Sequence, residues 1–207
     1  MDSTYANRMR LFVLARHGQS ELNATRRVNG DPAVAVALTA KGETEAEGLG
    51  LQVAGIQLDL CLHTQFGRTR QTAEIALAGR GVRLEAEPLL DDIRVGDLEG
   101  QTIDDYREWK RQHTRSDALP GGESLDDAAR RYAAAFERLL ARTERRVLVV
   151  CHEIPVRYAL NAAAGSADLD GPAHEIGNCI PHLFDEGGMQ RAIDQIRRLV
   201  GATPLRA

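Results

Sequence analysis

Two apolar runs far apart in the chain, LFVLA at Leu11 to Ala15 and VLVVC at Val147 to Cys151, constrain the fold more than any other feature. Both are short and uninterrupted by polar residues, the pattern of strands covered on both faces of a sheet. Both also stop at charge-bearing side chains. Arg16, His17 and Gly18 follow the first, and His152 follows the second.

Helix-like and strand-like segments alternate around these runs. LTAKGETEAEGLGLQVAG reads as a helix that Thr39 caps, Leu58 to His63 as a strand, and Gly67 to Gly79 as a helix closed by glycine. A short strand spans Val82 to Ala86 and an acidic loop Asp91 to Gly100. TIDDYREWKRQH is helical, and the loop Pro120 to Leu125 passes through Ser124 into a long Ala/Arg helix that reaches about Arg142. Pro155 suits the first turn of a helix after VLVVC, and a last strand around Cys179 to Phe184 precedes a C-terminal helix. The alternation predicts an α/β fold, a three-layer α/β/α sandwich with a mainly parallel central sheet. With no linker or low-complexity segment, residues 1–207 are expected to form a single domain.

Composition excludes several function classes. A net charge of −4 gives no bulk attraction to nucleic acid or to an acidic membrane surface, and 4% aromatics leave little for base stacking. No apolar run approaches the ~20 residues that span a bilayer. Cys61, Cys151 and Cys179 are odd in number and lack a C-x-x-C pair, so a reduced, cytoplasmic setting is expected. Oligomeric state, a homodimer included, stays open. Arginine outnumbers lysine 24 to 2, which supplies many rigid forks for phosphate.

Parallel strands put their C-terminal ends on one edge of a sheet, where open α/β sheets bind ligands. Arg16, His17, Arg68, Arg70 and His152 follow those strand ends, so two histidines and at least two arginines would share a pocket, with Asp91, Asp92, Asp97 and Glu99 on a neighbouring loop. Guanidinium forks match phosphoryl oxygens, a neutral imidazole can attack phosphorus, and a second imidazole can donate to the equatorial oxygens. A carboxylic acid would protonate the leaving oxygen and later deprotonate water. Such a site needs no metal and no cofactor. His63, His113, His174 and His182 lack metal-ligand spacing and read as ordinary histidines, and Arg70 reads as a helix-surface charge.

ARHGQSELN, HTQFGRTRQTA, LLDDIRVGDLEG, GGES and VLVVCHEIPVR, in this order, resemble segments of the histidine phosphatase, or phosphoglycerate mutase-like, superfamily from Leu11 to about Leu183. The resemblance implies phosphomonoester hydrolysis through a phosphohistidine on His17. It also implies His152 as second histidine, Arg16, Arg68 and Asn23 as phosphate contacts, and Asp92, in register with Gly96 and Gly100, as proton donor. Glu153 stands where many members carry glycine. It either caps the following helix or faces the pocket, where it would meet substrate. The chain lacks the Glu-Arg-His-Tyr-Gly stretch of cofactor-dependent phosphoglycerate mutases, so the phosphatase branch is favoured over a mutase. A regulatory, phosphoprotein-binding member is the other alternative. The expected partner is a small-molecule phosphomonoester, with selectivity carried by the loops Asn29 to Ala37, Tyr106 to Pro120 and Gly165 to Ile176.

One rival motif is present. Cys151 to Arg157 has the C-x5-R spacing of cysteine-dependent phosphatases. Pro155 removes an amide donor from that loop, Glu153 adds negative charge and no glycine eases the turn, so Cys151 reads as a buried strand residue.

Overall fold

The computed structural model describes residues 10–201. Five strands, β1 (Leu11–Arg16), β2 (Leu60–His63), β3 (Arg83–Ala86), β4 (Arg146–Cys151) and β5 (His182–Asp185), form one sheet in the order β3-β2-β4-β1-β5. The β3-β2, β2-β4 and β4-β1 ladders are parallel and only β5 runs antiparallel, against β1. β1 and β4 run in step from Leu11 opposite Arg146 to Arg16 opposite Cys151, so His17 and His152 leave the sheet side by side.

Both faces of the sheet are covered, which is why β1 and β4 carry no polar alternation. Phe12, Leu14, Val147 and Val149 pack on one side with Tyr132 and Phe136 of α5 (Leu125–Ala141), Val156 of α6 (Glu153–Ala163) and Ile193 of α7 (Glu186–Val200). The alternate residues Val13, Ala15, Leu148 and Val150 face the other way. They meet Ala46 and Leu49 of α2 (Ala40–Gln52) and Ala73 and Ala76 of α3 (Gly67–Ala76). The three layers expected from the sequence are therefore present.

Helix starts follow the caps. Thr39, Thr102 and Ser124 accept from the N–H groups of Gly42, Asp105 and Asp127 to open α2, α4 (Ile103–Gln112) and α5. Three boundaries differ from the sequence reading. α3 stops at Ala76, and Gly79, with φ of 74°, sits in the turn beyond it. β5 begins at His182 because Cys179 adopts φ of 56° and Pro181 has no N–H to give a ladder. A four-residue helix, α1 (Glu21–Ala24), stands in the first loop on a capping box between Ser20 and Asn23, too short to leave a periodic trace. Among the described residues no helix is long and apolar enough to cross a membrane.

Candidate active site

Gly18 lets β1 deliver its histidine. A Cβ there would lie 2.3 Å from the carbonyl oxygen of Gly42, so the chain leaving β1 and the first turn of α2 meet backbone to backbone. The residues after β1 are pinned from the far side too. Cys179 N donates to Arg16 O at 2.9 Å, Asn178 Nδ2 to His17 O at 2.6 Å, and Arg16 Nη1 to Ile176 O at 2.8 Å.

His17 is buried, and its Nδ1 lies 2.7 Å from the carbonyl oxygen of Gly18. A carbonyl can only accept, so Nδ1 carries the proton and Nε2 keeps its lone pair. Arg68 Nε donates to that lone pair at 3.0 Å. Burial first, then the charges of Arg68 and Arg16, hold His17 well below the usual imidazole pKa. The ring is therefore neutral at physiological pH, as a nucleophile must be.

His152, also buried, stands edge-on to His17 with ring centroids 5.3 Å apart. Its Nε2 is 2.9 Å from Thr64 Oγ1, and its Nδ1 is 3.2 Å from Arg68 Nη2 and 3.4 Å from Asp92 Oδ2. Burial, followed by Arg68, lowers its pKa well below the ordinary value. Thr64 Oγ1 is in turn 2.9 Å from Thr69 Oγ1, which donates to Phe66 O at 2.8 Å. With the Thr69 proton committed there, Thr64 gives its own proton to Thr69 Oγ1 and accepts from His152 Nε2–H. His152 Nδ1 then keeps its lone pair, to which Arg68 Nη2 donates.

Arg68, in the first turn of α3, joins the two histidines to the rest of the site. It donates to Asn29 Oδ1 through Nη1, and through Nη2 to Asn29 O at 3.2 Å and to Asp92 Oδ2 at 3.4 Å. Asn29 in turn donates to Glu99 at 2.7 Å, and Glu99 also accepts from Gly30 N and Asp31 N. Glu99 thus holds the loop and has no free oxygen facing the phosphoryl site.

The two neighbouring aspartates separate as backbone alternation requires. Asp92 lines the cavity, whereas Asp91 turns away to accept from Gln65 N at 2.8 Å. Burial raises the pKa of Asp92 against the opposing pull of Arg68, and raises that of Asp91 to about 6. A clamp behind them positions the loop. Arg131 of α5 donates to the carbonyl oxygens of Leu89, Asp91 and Asp92 and to Glu123 Oε1, and Glu123 accepts from Arg94 N at 3.0 Å. The GGES segment thus supports the acid loop and does not line the cavity. Asp97 is exposed and outside the cavity lining.

The remaining expected residues divide. Arg16, Asn23 and Glu153 line the cavity, while Arg70 pairs with Glu74 on the helix surface at 2.7 Å. Asn23 spends its Oδ1 on the α1 cap. Glu153 occupies the first position of α6 and faces the pocket, its two oxygens taken by Arg16 at 2.8 Å and Arg157 at 3.0 Å. Cys151 is fully buried and burial pushes its thiol far above the ordinary value, the opposite of a nucleophilic cysteine. Asn29, Thr64 and Arg131 were absent from the sequence reading; Asn29 was legible only as a loop boundary.

Neutral paired imidazoles around a buried guanidinium, open to a cavity of about 210 Å³, suit enzymes that pass phosphoryl groups through histidine. The comparison with known proteins gives the class its name. The chain belongs to the histidine phosphatase superfamily, branch 1, whose sequence model matches residues 12–196. It is 32% identical over 160 residues to the probable phosphoglycerate mutase GpmB of Salmonella choleraesuis, an alignment covering 73% of this chain and 74% of that protein. Among solved structures, YhfR of Bacillus stearothermophilus superposes with a TM-score of 0.73 at 27% identity, covering 84% of this chain and 89% of the other. A mycobacterial glucosyl-3-phosphoglycerate phosphatase in complex with VO3 superposes with a TM-score of 0.71 at 25% identity, covering 84% and 92%. The alpha-ribazole phosphatase of Shigella flexneri shares the fold with a TM-score of 0.73 at 22% identity, covering 84% and 89%. The protein is accordingly a phosphomonoesterase of this superfamily.

Proposed function

We propose that the chain hydrolyses small phosphomonoesters by covalent catalysis on His17, acting as one domain in the cytoplasm and without a metal ion. The observation that carries the mechanism is the His17 tautomer, whose Nδ1 is committed to Gly18 O and whose Nε2 lone pair stands beside Arg68. In the first step substrate oxygens take over the Arg68 and Arg16 N–H groups, and Nε2 attacks phosphorus. The P–O bond to the alcohol breaks, and Asp92 gives its proton to the leaving oxygen. His152, its Nε2–H held by Thr64, turns Nδ1 to the phosphoryl oxygens once the substrate has taken over Arg68, and it shares there the proton of a substrate monoanion as charge builds.

In the second step the Asp92 carboxylate takes a proton from water as that water attacks phosphohistidine. The P–N bond breaks, His17 returns to its neutral form, and inorganic phosphate leaves. Asn23 and the Arg16-Glu153 pair border the phosphoryl pocket as contacts for the bound ester.

Quenching turnover of a labelled aryl phosphate in alkali is the direct test. Wild type is expected to carry an acid-labile, alkali-stable phosphoryl group that His17→Ala lacks, with activity falling by a barrier of about 4 to 8 kcal/mol. Full turnover by His17→Ala overturns the mechanism. The GpmB relatives favour one competing reading, phosphoryl return to a second hydroxyl. A product that is an isomer of the substrate, rather than free phosphate, would establish it.

A further inference from the structure

The catalytic cavity is larger and more cationic than the phosphoryl chemistry requires. Six basic side chains line it, Arg16, Arg27, Arg68, Arg107, Lys110 and Arg157, against the two carboxylates Asp92 and Glu153. A phosphate dianion would offset only half of that excess. Much of the unmatched charge sits on one helix. Ile103, Tyr106, Arg107 and Lys110 of α4 all line the cavity, and their spacing of three, four and seven places them on a single helical face.

Two polar groups on that face lack partners. Tyr106 Oη is buried without a hydrogen bond. Lys110 is half-buried, its Nζ lies 5.7 Å from the centre of the Tyr106 ring, and it has no carboxylate within ion-pairing distance among the described residues. The nearby carboxylates are committed elsewhere. Asp170 pairs with Arg115 at 2.5 Å and Arg157 at 3.1 Å, and Glu153 with Arg16 and Arg157. A buried hydroxyl and a half-desolvated ammonium with no partners are costly unless a ligand supplies an acceptor.

We propose that Lys110 and Tyr106, with Arg107 beside them, form a second anion subsite, so that the preferred substrate is a phosphomonoester carrying another anionic group set back from the scissile phosphate. This rests on the phosphatase reading and adds the substrate class to it. Burial lowers the Lys110 pKa, and an anion bound there would raise it again. Arg107 is exposed and at 3.7 Å from Asp104 only loosely paired, so it stays available to the same anion.

The test compares phosphoesters of ω-hydroxy acids with chains of two to four carbons against the same esters as primary amides. Each pair keeps the phosphate and replaces only the carboxylate. For the chain length that reaches the subsite, wild type should favour the acid over its amide by ~10-fold or more in kcat/KM. Lys110→Met should collapse that ratio and Lys110→Arg should keep it. Equal handling of every acid and amide overturns the subsite, and so does a ratio unchanged in Lys110→Met. A uniform loss on acids and amides alike in that variant would mean that Lys110 merely attracts the phosphate. p-Nitrophenyl phosphate separates the two levels of the argument. Turnover of it without any acid preference sinks the subsite alone, and no turnover of any ester sinks the phosphatase reading.

Discussion

Arg68 and His17 face each other with guanidinium Nε donating to imidazole Nε2 at 3.0 Å, and the same guanidinium reaches His152, Asp92 and Asn29. Burial and this one guanidinium together keep both histidines neutral.

Arg68→Met should lower kcat/KM by ~10²-fold or more, because a preorganised charge at the developing phosphoryl oxygens is lost. It should also move the acid limb of the pH profile upward. Burial and the Arg68 charge both depress the two imidazoles, so removing the charge lets them protonate at higher pH. Arg68→Lys should keep the limb in place while losing the bidentate grip. An acid limb identical in Arg68→Met and wild type would contradict this assignment.

Asp92 and Asp91 are separated by leaving-group dependence. Asp92→Asn should slow a poor leaving group by ~10²-fold or more while sparing phosphohistidine formation from an activated aryl phosphate. Burial raises the Asp92 pKa, so on the proposed mechanism its titration should form the alkaline limb, above the usual carboxylate range. That limb should vanish in Asp92→Asn. The same pattern in Asp91→Asn instead would shift the acid by one residue.

Asp91 has a stability signature of its own. Its folded pKa of about 6 lies above the value of 3.8 for a free side chain, so the folded state binds the proton more tightly. Stability must then fall as pH rises between these values, and nothing is gained or lost below them. Asp91→Asn keeps an acceptor for Gln65 N and removes the penalty. Its melting temperature should exceed wild type at pH 7.5 and match it near pH 4; a difference independent of pH would refute the linkage.

Gly18→Ala forces a Cβ to within 2.3 Å of the Gly42 carbonyl oxygen, a backbone atom with little room to move. A strain of ~2 to 3 kcal/mol should lower the melting temperature by ~4 to 12 °C. Turnover should fall with it, since Gly18 O holds the His17 proton. An unchanged melting temperature in calorimetry would show that the two backbones do not pack as described.

Thr64→Val keeps the shape of the side chain and removes the acceptor for His152 Nε2–H, so the ring is no longer held in the tautomer that keeps Nδ1 open. A ~10-fold fall in kcat with KM nearly constant is expected, restored by Thr64→Ser. Equal losses in the Val and Ser variants would point to packing rather than to the hydroxyl.

The amino-acid sequence by itself determined the layers and the edge where chemistry occurs. Unbroken apolar runs at β1 and β4 can only be covered strands, and parallel strands must release Arg16, His17 and His152 on one edge. Alternation along an extended loop said that only one of Asp91 and Asp92 would reach the pocket, while the choice of Asp92 came from the family resemblance through Gly96 and Gly100. What stayed hidden depended on which distant side chains share a volume. The pairing of Glu153 with Arg157 is a local i,i+4 contact, but nothing near Glu153 says that Arg16 will take its other oxygen, and nothing in Thr64, Asn29 or Arg131 announces His152, Arg68 or the acid loop. The late start of β5 at His182 likewise reflects the left-handed backbone at Cys179 and the missing N–H of Pro181. Periodicity encodes which face of an element is buried, because the backbone repeat dictates it; only tertiary packing decides which polar group each buried donor and acceptor meets there.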